Sequence, residues 1–282
     1  MEVIVRGGSF FEAPRWHEGR WWVSDFFRRR VYSYDADGGD ERREAQVAGQ
    51  PSGLGWDAAG ALMVVSMLDQ RLLRRDPDTG TIETLADLAP MCGGPANDMT
   101  VDRAGRAWVG NFGFDLWGGG DQAPTSLARV DPDGTVTEVA AGLMFPNGAV
   151  ITDDGLTLIV GETFAGRYTA FSIGPDGALG DRRTWADLPG VHPDGCTLDA
   201  DGRIWTADAG GERCLLVEEG GRIVRQIDTP GGLGVYACML GGEQGTTLLM
   251  CCCPVGRADE TPFRREAVLV TVEVDAPHAG LP

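Results

Sequence analysis

The chain has 282 residues, 43% of them hydrophobic and 23% charged, which is the composition of a folded globular protein and excludes a disordered one. Its 42 glycines and 16 prolines are too many breakers for a helical bundle, and no Gly-X-Y period makes them collagen-like. Asp and Glu number 42 against 24 basic residues, all arginine; the formal charge of −18 repels phosphate backbones, and neither a Schiff-base lysine nor a P-loop lysine is available.

The chain opens on a strand-like run, EVIVRGG, without the apolar core of a signal peptide, and nowhere approaches the ~18 apolar residues of a membrane helix. Seven cysteines (92, 196, 214, 238, 251, 252 and 253) follow no disulfide framework, so a reduced, cytoplasmic protein with no membrane or nucleic-acid partner is expected. Six versions of one phrase follow: WHEGRWWVSD (16–25), WDAAGALMVVS (56–66), VDRAGRAWVGN (101–111), TDDGLTLIVGE (152–162), LDADGRIWTAD (198–208) and GGEQGTTLLMCC (241–252). Each is a turn around a central glycine (19, 60, 105, 155, 202, 245) that runs into an apolar strand. A second strand follows each phrase, as in VYSYDADG (31–38), LARVDPDG (127–134) and YTAFSIGPDG (168–177), ending in hairpin-turn chemistry. A period of roughly 40–50 residues built from short strands predicts propeller blades. The expectation is an all-β fold, a six-bladed β-propeller with four-stranded blades that uses residues 1–282 as a single domain. Pairing of EVIVRGG with the last strand, VLVTVEV (268–274), would close the ring and protect two sheet edges.

In a propeller the first strand of each blade lines the central channel. Eight residues before the repeat glycine stand Ser52, Asn97, Asn147 and Asp194 in repeats two to five; Glu12 stands seven before it in the first repeat, and Ala237 eight before it in the sixth. Short polar residues at such points also cap turns, but a set aligned across blades and including a glutamate points to a site on the axis. Two carboxylates, Glu12 and Asp194, repel one another unless a cation lies between them. With the amide oxygen of Asn147 they suit a hard divalent ion, Ca²⁺ first, with Mg²⁺, Mn²⁺, Zn²⁺ or Fe²⁺ as alternatives. The three histidines (17, 192 and 278) are too dispersed for a histidine-rich zinc site.

FEAPRW, PSGLGWD, NDMTVDRAGRAWVGN, FPNGAVITDDGLTLIVGET, PDGCTLDADGRIWTAD and YACMLGGEQGTTLL follow one another as in the SMP-30/gluconolactonase/regucalcin-like family, which nearly the whole chain resembles. The resemblance implies a six-bladed propeller with one divalent ion in its channel and hydrolysis of a small-molecule lactone. It implies that Glu12 of FEAP, Asn147 of FPNG and Asp194 of HPDG are metal ligands and that Asn97 of the Asn-Asp pair contacts substrate. The chain departs from the pattern at Pro95, where sugar-lactone members often carry an arginine whose fork grips hydroxyls. The nearby NFGFDLWGGG (111–120) offers Phe112, Phe114 and Trp117 beside a glycine run. It reads either as a lid presenting aromatics to a less polar ring or as packing between blades.

The chemistry that unites these features is metal-assisted opening of a lactone, with Asp194 as general base toward water, Asn97 orienting the substrate and Ser52 assisting. A non-catalytic propeller that binds an ion or small molecule, and an isomerisation or hydration of a cyclic substrate, are the alternatives. No Gly-x-Ser-x-Gly surrounds Ser52, and GGLGVYA (231–237) lacks the strand–turn–helix of a dinucleotide site. His192 reads as a turn residue or as a proton shuttle at the channel rim. Consecutive Cys251, Cys252 and Cys253 alternate faces on a strand and read as buried small hydrophobes rather than ligands of one ion.

Overall fold

The computed structural model describes residues 1–254 and 264–282. Six four-stranded antiparallel sheets stand around an axis as the blades of a propeller. Blades one to five run in simple chain order from the axis outward, with innermost strands Phe11–His17, Pro51–Trp56, Ala96–Val101, Pro146–Ile151 and Pro193–Leu198. Blade six takes Gly234–Gly241, Thr247–Cys253 and Ala267–Glu273 from the carboxyl-terminal part and its outermost strand, Glu2–Gly8, from the amino-terminal part. Glu2–Gly8 pairs antiparallel with Ala267–Glu273, as expected, so the ring is fastened by hydrogen bonds between the two ends of the chain. The only helical elements among the described residues are two three-residue 3₁₀ turns, and no helix is long and apolar enough to cross a membrane.

The repeated phrase is the hairpin between the innermost and second strands. Glycines 19, 60, 105, 155, 202 and 245 all adopt φ between +73° and +80°, where a Cβ would be strained. The acidic residue ahead of the glycine accepts backbone N–H bonds across the turn: Asp57 from Ala59 and Ala61, Asp102 from Ala104 and Arg106, Asp199 from Asp201 and Arg203. A good part of the acidic excess is therefore spent as Asx turns.

Two residues after the glycine in blade one and three after it in the others, each second strand buries one large side chain: Trp21, Met63, Trp108, Leu158, Trp205 and Leu248, none more than 1% exposed. These side chains belong to four of the six apolar clusters that fill the spaces between adjacent blades, one cluster to each space. Each sheet is thus buried on both faces, which is why its second strand reads as a continuous apolar run. The cysteine triplet obeys the same alternation. Cys251 and Cys253 face the cluster shared with blade one, and Cys252 faces the cluster shared with blade five. All seven cysteines are free thiols. A seventh cluster, of Phe26, Met67, Phe112 and Phe145, lies outside this pattern, at one end of the axis.

Candidate active site

All six innermost strands break register with the second strand at one place: between Glu12 and Arg15, Pro51 and Leu54, Ala96 and Met99, Pro146 and Ala149, Pro193 and Cys196, and Val235 and Ala237. A bulge re-aims the residue it carries. In blades two to six it turns the address residue out of the alternating strand pattern, and in blade one it falls at Ala13 and Pro14, directly after Glu12, which pairs with Ser24. The sixth address is Tyr236 rather than Ala237, because Val235 pairs with Cys252 as Pro193 pairs with Asp208. The residue after the address is small wherever the strands crowd. A Cβ on Gly148 would lie 2.4 Å from the Asp194 carbonyl oxygen, and one on Gly195 would lie 2.4 Å from the Ala237 Cβ.

Glu12, Asn97, Asn147 and Asp194 converge on the floor of a cavity of about 400 Å³ at the axis, joined there by Thr163 and His192. Ser52 is not among the lining residues. It is buried behind Asn97 and donates its Oγ hydrogen to Asn97 Oδ1 at 3.3 Å, which leaves the Asn97 amide Nδ2 to face outward as a donor. Asn147 Nδ2 donates to Thr163 Oγ1 at 3.1 Å, and Thr163 in turn donates to the Pro193 carbonyl at 2.7 Å. With its nitrogen committed, the Asn147 amide has its oxygen to offer. Glu12 accepts the Ala13 N–H at 2.9 Å. Burial and then the charge of Asp194 push the Glu12 carboxyl well above its ordinary range. Burial and then the charge of Asp98 do the same to Asp194, against the opposing pull of the Asn147 side chain and the Gly195 N–H.

Sequence reasoning missed the ion pair beneath this floor. Arg15 and Asp98 are both buried and bonded at 2.8 Å. Arg15 also donates to the carbonyls of Leu54, Pro14 and Met99, so four of its donors are occupied. A second polar ring was also missed, at the end of the second strands. Asp25 accepts the Ser9 and Phe10 N–H groups, Asn111 those of Gly93 and Gly113, Glu162 that of Met144 and Asp208 that of His192. These residues pin the segments that enter blades one, three, four and five. The recurring SD, GN, GE and AD endings of the repeated phrase were the available signal.

The walls are made of a different chemistry. They come from loops that follow second strands or precede innermost strands, so they all lie at one end of the axis. Among the described residues six phenylalanines line the cavity: 10, 26, 27, 112, 145 and 164. Their rings touch in sequence, Phe10 to Tyr236 at 4.6 Å, Phe112 to Phe145 at 4.4 Å and Phe145 to Phe164 at 5.3 Å between centroids. The 111–120 segment contributes to both the lining and the packing behind it. Phe112, Leu116 and Trp117 line the cavity, whereas Phe114 is buried against Phe164 behind the wall. His192 is both a turn residue, with its N–H on Asp208 and its carbonyl accepting the Ala209 N–H, and a cavity residue, its ring packed on Gly210. No arginine lines the cavity among the described residues, and the Pro95 carbonyl is occupied by the Phe112 N–H at 2.9 Å.

Comparison with known proteins agrees with this architecture. The family model for the SMP-30/Gluconolactonase/LRE-like region matches residues 10–253. The pentonolactonase of Haloferax volcanii is 30% identical over 228 residues, which make up 78% of this chain and 73% of the relative. A solved gluconolactonase from Xanthomonas campestris is 26% identical, with a TM-score of 0.75 over 99% of this chain and 89% of its own. Regucalcin from Agrobacterium tumefaciens, described as a calcium-binding protein, is 20% identical and shares the fold with a TM-score of 0.81 over 99% of this chain and 95% of its own. With a family match that takes in blades one to five and the two inner strands of blade six, the chain belongs to the SMP-30/gluconolactonase/LRE-like family.

Proposed function

We propose that this protein is a metal-dependent lactonase that opens a cyclic ester by hydrolysis on the cavity floor, with one divalent cation held by Glu12, Asn147 and Asp194. The observation that carries the reading is the meeting of two buried carboxylates whose neighbouring guanidinium, Arg15, is already engaged by Asp98. Such a pair lacks a counter-charge, and a divalent cation supplies it. The donor set fits: two carboxylates and a neutral amide oxygen are the hard ligands that Ca²⁺ takes, with Mg²⁺, Mn²⁺, Zn²⁺ and Fe²⁺ as alternatives. No three His, Cys, Asp or Glu side chains cluster as ligands among the described residues, so the amide of Asn147 must serve as the third donor. The pentonolactonase and gluconolactonase relatives supply the substrate class, a small-molecule lactone.

When bound, the cation supplies Lewis-acid polarisation of the lactone carbonyl. Asn97 presents its free Nδ2 to a substrate oxygen and fixes the ring, with Ser52 holding the amide from behind. Asp194 accepts a proton from the attacking water as the water oxygen bonds to the carbonyl carbon. It returns that proton to the ring oxygen when the C–O bond breaks, so lactone and water leave as one hydroxy acid. Glu12, fixed by the Ala13 N–H, contributes charge and takes no proton from water. Seven free cysteines, six of them buried, suit a cytoplasmic setting.

Acid release from a panel of sugar, aliphatic and aromatic lactones, run with each divalent cation and with a chelator, tests the reading. Turnover should vanish on chelation and return with the cation, and Asp194→Ala should lower kcat by at least ~10²-fold. Saturable ligand binding with no turnover across the panel would make the protein a binding propeller instead.

A further inference from the structure

We infer that the lactone taken by this site has an apolar, aryl- or alkyl-bearing body with few or no ring hydroxyls; the inference rests on the lactonase reading and names the substrate within it. Polar and apolar groups are segregated in the cavity. Glu12, Asn97, Asn147 and Asp194 are gathered on the innermost strands beside Tyr236, while the surrounding walls are mainly rings and aliphatic groups, Phe10, Phe27, Phe164, Leu116 and Trp117 among them, with Thr163 and His192 as their polar members. A ligand matched to this arrangement has one polar end, the ester, and a body that seeks contact with aromatic faces.

A sugar lactone is matched to neither half. Its hydroxyls point away from the ester on every side, and beyond His192, Thr163 and the Tyr236 hydroxyl the walls offer them chiefly phenyl rings. No lysine or arginine lines the cavity among the described residues. Each hydroxyl left without a partner weakens binding by about tenfold or more. Substrates that carry a carboxylate or phosphate are disfavoured as well, because the floor holds two carboxylates and the guanidinium of Arg15 beneath it is engaged by Asp98.

Phe145 adds an independent sign that the wall is selected for its rings. Its φ of 58° is a left-handed conformation that aromatic residues rarely adopt, and it is 5% exposed between Phe112 and Phe164. The backbone cost is borne at the position where the ring completes the wall. The cavity volume, about 400 Å³, is that of a small-ligand site.

The test compares kcat/KM of the Ca²⁺-loaded protein for δ-phenyl-δ-valerolactone and δ-decalactone with that for D-glucono-δ-lactone and D-xylono-γ-lactone. The apolar pair should lead by about 100-fold or more. Trp117 is 41% exposed, so Trp117→Ala removes wall without hollowing a core; it should raise KM for the phenyl lactone about tenfold. Calorimetric titration with the non-hydrolysable δ-phenyl-δ-valerolactam separates the two claims. If the lactam binds and no lactone is opened, the lactonase reading falls and the cavity assignment stands. If the sugar lactones are opened as well as or better than the apolar ones, or if lactones are opened but the lactam fails to bind, the inference is overturned while the lactonase reading stands; if no lactone is opened and the lactam fails to bind, both fall.

Discussion

Replacing Asp194 by asparagine should stabilise the cation-free protein, an unusual direction for a substitution at a buried polar residue. Glu12 and Asp194 are 7% and 8% exposed, and each is held well above the ordinary carboxyl range, first by burial and then by a neighbouring carboxylate. Arg15 offers little relief, since it donates to Asp98 at 2.8 Å and to three carbonyls at 2.7 to 3.0 Å. Asparagine keeps the size of the side chain and removes the repulsion. A gain of about 1–2 kcal/mol is expected, typical of relieving a functional site, and corresponds to ~3–6 °C in Tm.

The order should reverse with cation. At a Ca²⁺ concentration 100-fold above its Kd the wild type gains about 2.7 kcal/mol, and the Asn variant, having lost one charged ligand, gains much less. Differential scanning calorimetry with and without chelator therefore reads the site without reference to any substrate. A variant less stable than wild type in chelator, together with a wild-type Tm that no divalent cation moves, would refute the assignment of these carboxylates as a cation site.

Glu162, fully buried, behaves in the opposite sense. Burial works to raise its pKa, but the donors on Arg167, Thr169 and the Met144 N–H outweigh it and hold it below the ordinary value. A depressed carboxyl adds stability that is present above the unfolded pKa and lost as pH falls through the folded one. Glu162→Gln should thus cost ~1–3 kcal/mol in urea melts at neutral pH, and the difference from wild type should shrink in acid. Gly148→Ala places a Cβ 2.4 Å from the Asp194 carbonyl and 2.8 Å from the Cys196 nitrogen. It should cost ~1–3 kcal/mol and lower kcat by up to ~10²-fold, because the strand that carries Asp194 must move. Burial pushes the Cys253 and Cys252 thiols up to about 11 and about 12 and Cys92 to about 12. A disulfide-exchange reagent at mildly alkaline pH should therefore leave the native protein largely unlabelled and titrate all seven thiols after denaturation.

The fold was legible because it repeats. A turn glycine forced into positive φ six times over leaves a periodic mark, and the apolar runs between glycines report strands buried on both faces. The floor was legible for the same reason, as a polar exception at one address of an apolar strand. The count failed in the sixth blade because it assumed a constant distance from bulge to turn. The innermost strand Gly234–Gly241 is eight residues long where those of blades two to five are six, so the address falls on Tyr236. Ser52 shares the address and yet stands behind Asn97, because its hydroxyl is too short to reach past the amide of the next blade. The Arg15–Asp98 pair, 83 residues apart, leaves no local mark. The phenylalanine wall is equally non-local: its rings come from separate loops that meet only where the blades converge.

Floor and wall therefore sit on different carriers, and this decides how each can change. Floor residues ride on bulged innermost strands that abut one another. Gly148 lies against the backbone of Asp194, Gly195 against Ala237, and Gly53 against the Met99 nitrogen. A displacement of any one innermost strand is passed to its neighbour around the ring, and the ring is held closed by the pairing of Glu2–Gly8 with Ala267–Glu273. The separation of Glu12 from Asp194 is consequently set by closure of the whole propeller, not by any one blade. Wall residues ride on loops whose backbone bonds return mostly to their own blade, as the Phe112 N–H does to Pro95. Substituting a wall ring alters what the cavity accepts and leaves the spacing of the floor carboxylates untouched. One scaffold can in this way keep a fixed ester-opening floor while its loops are exchanged to suit sugar or apolar lactones.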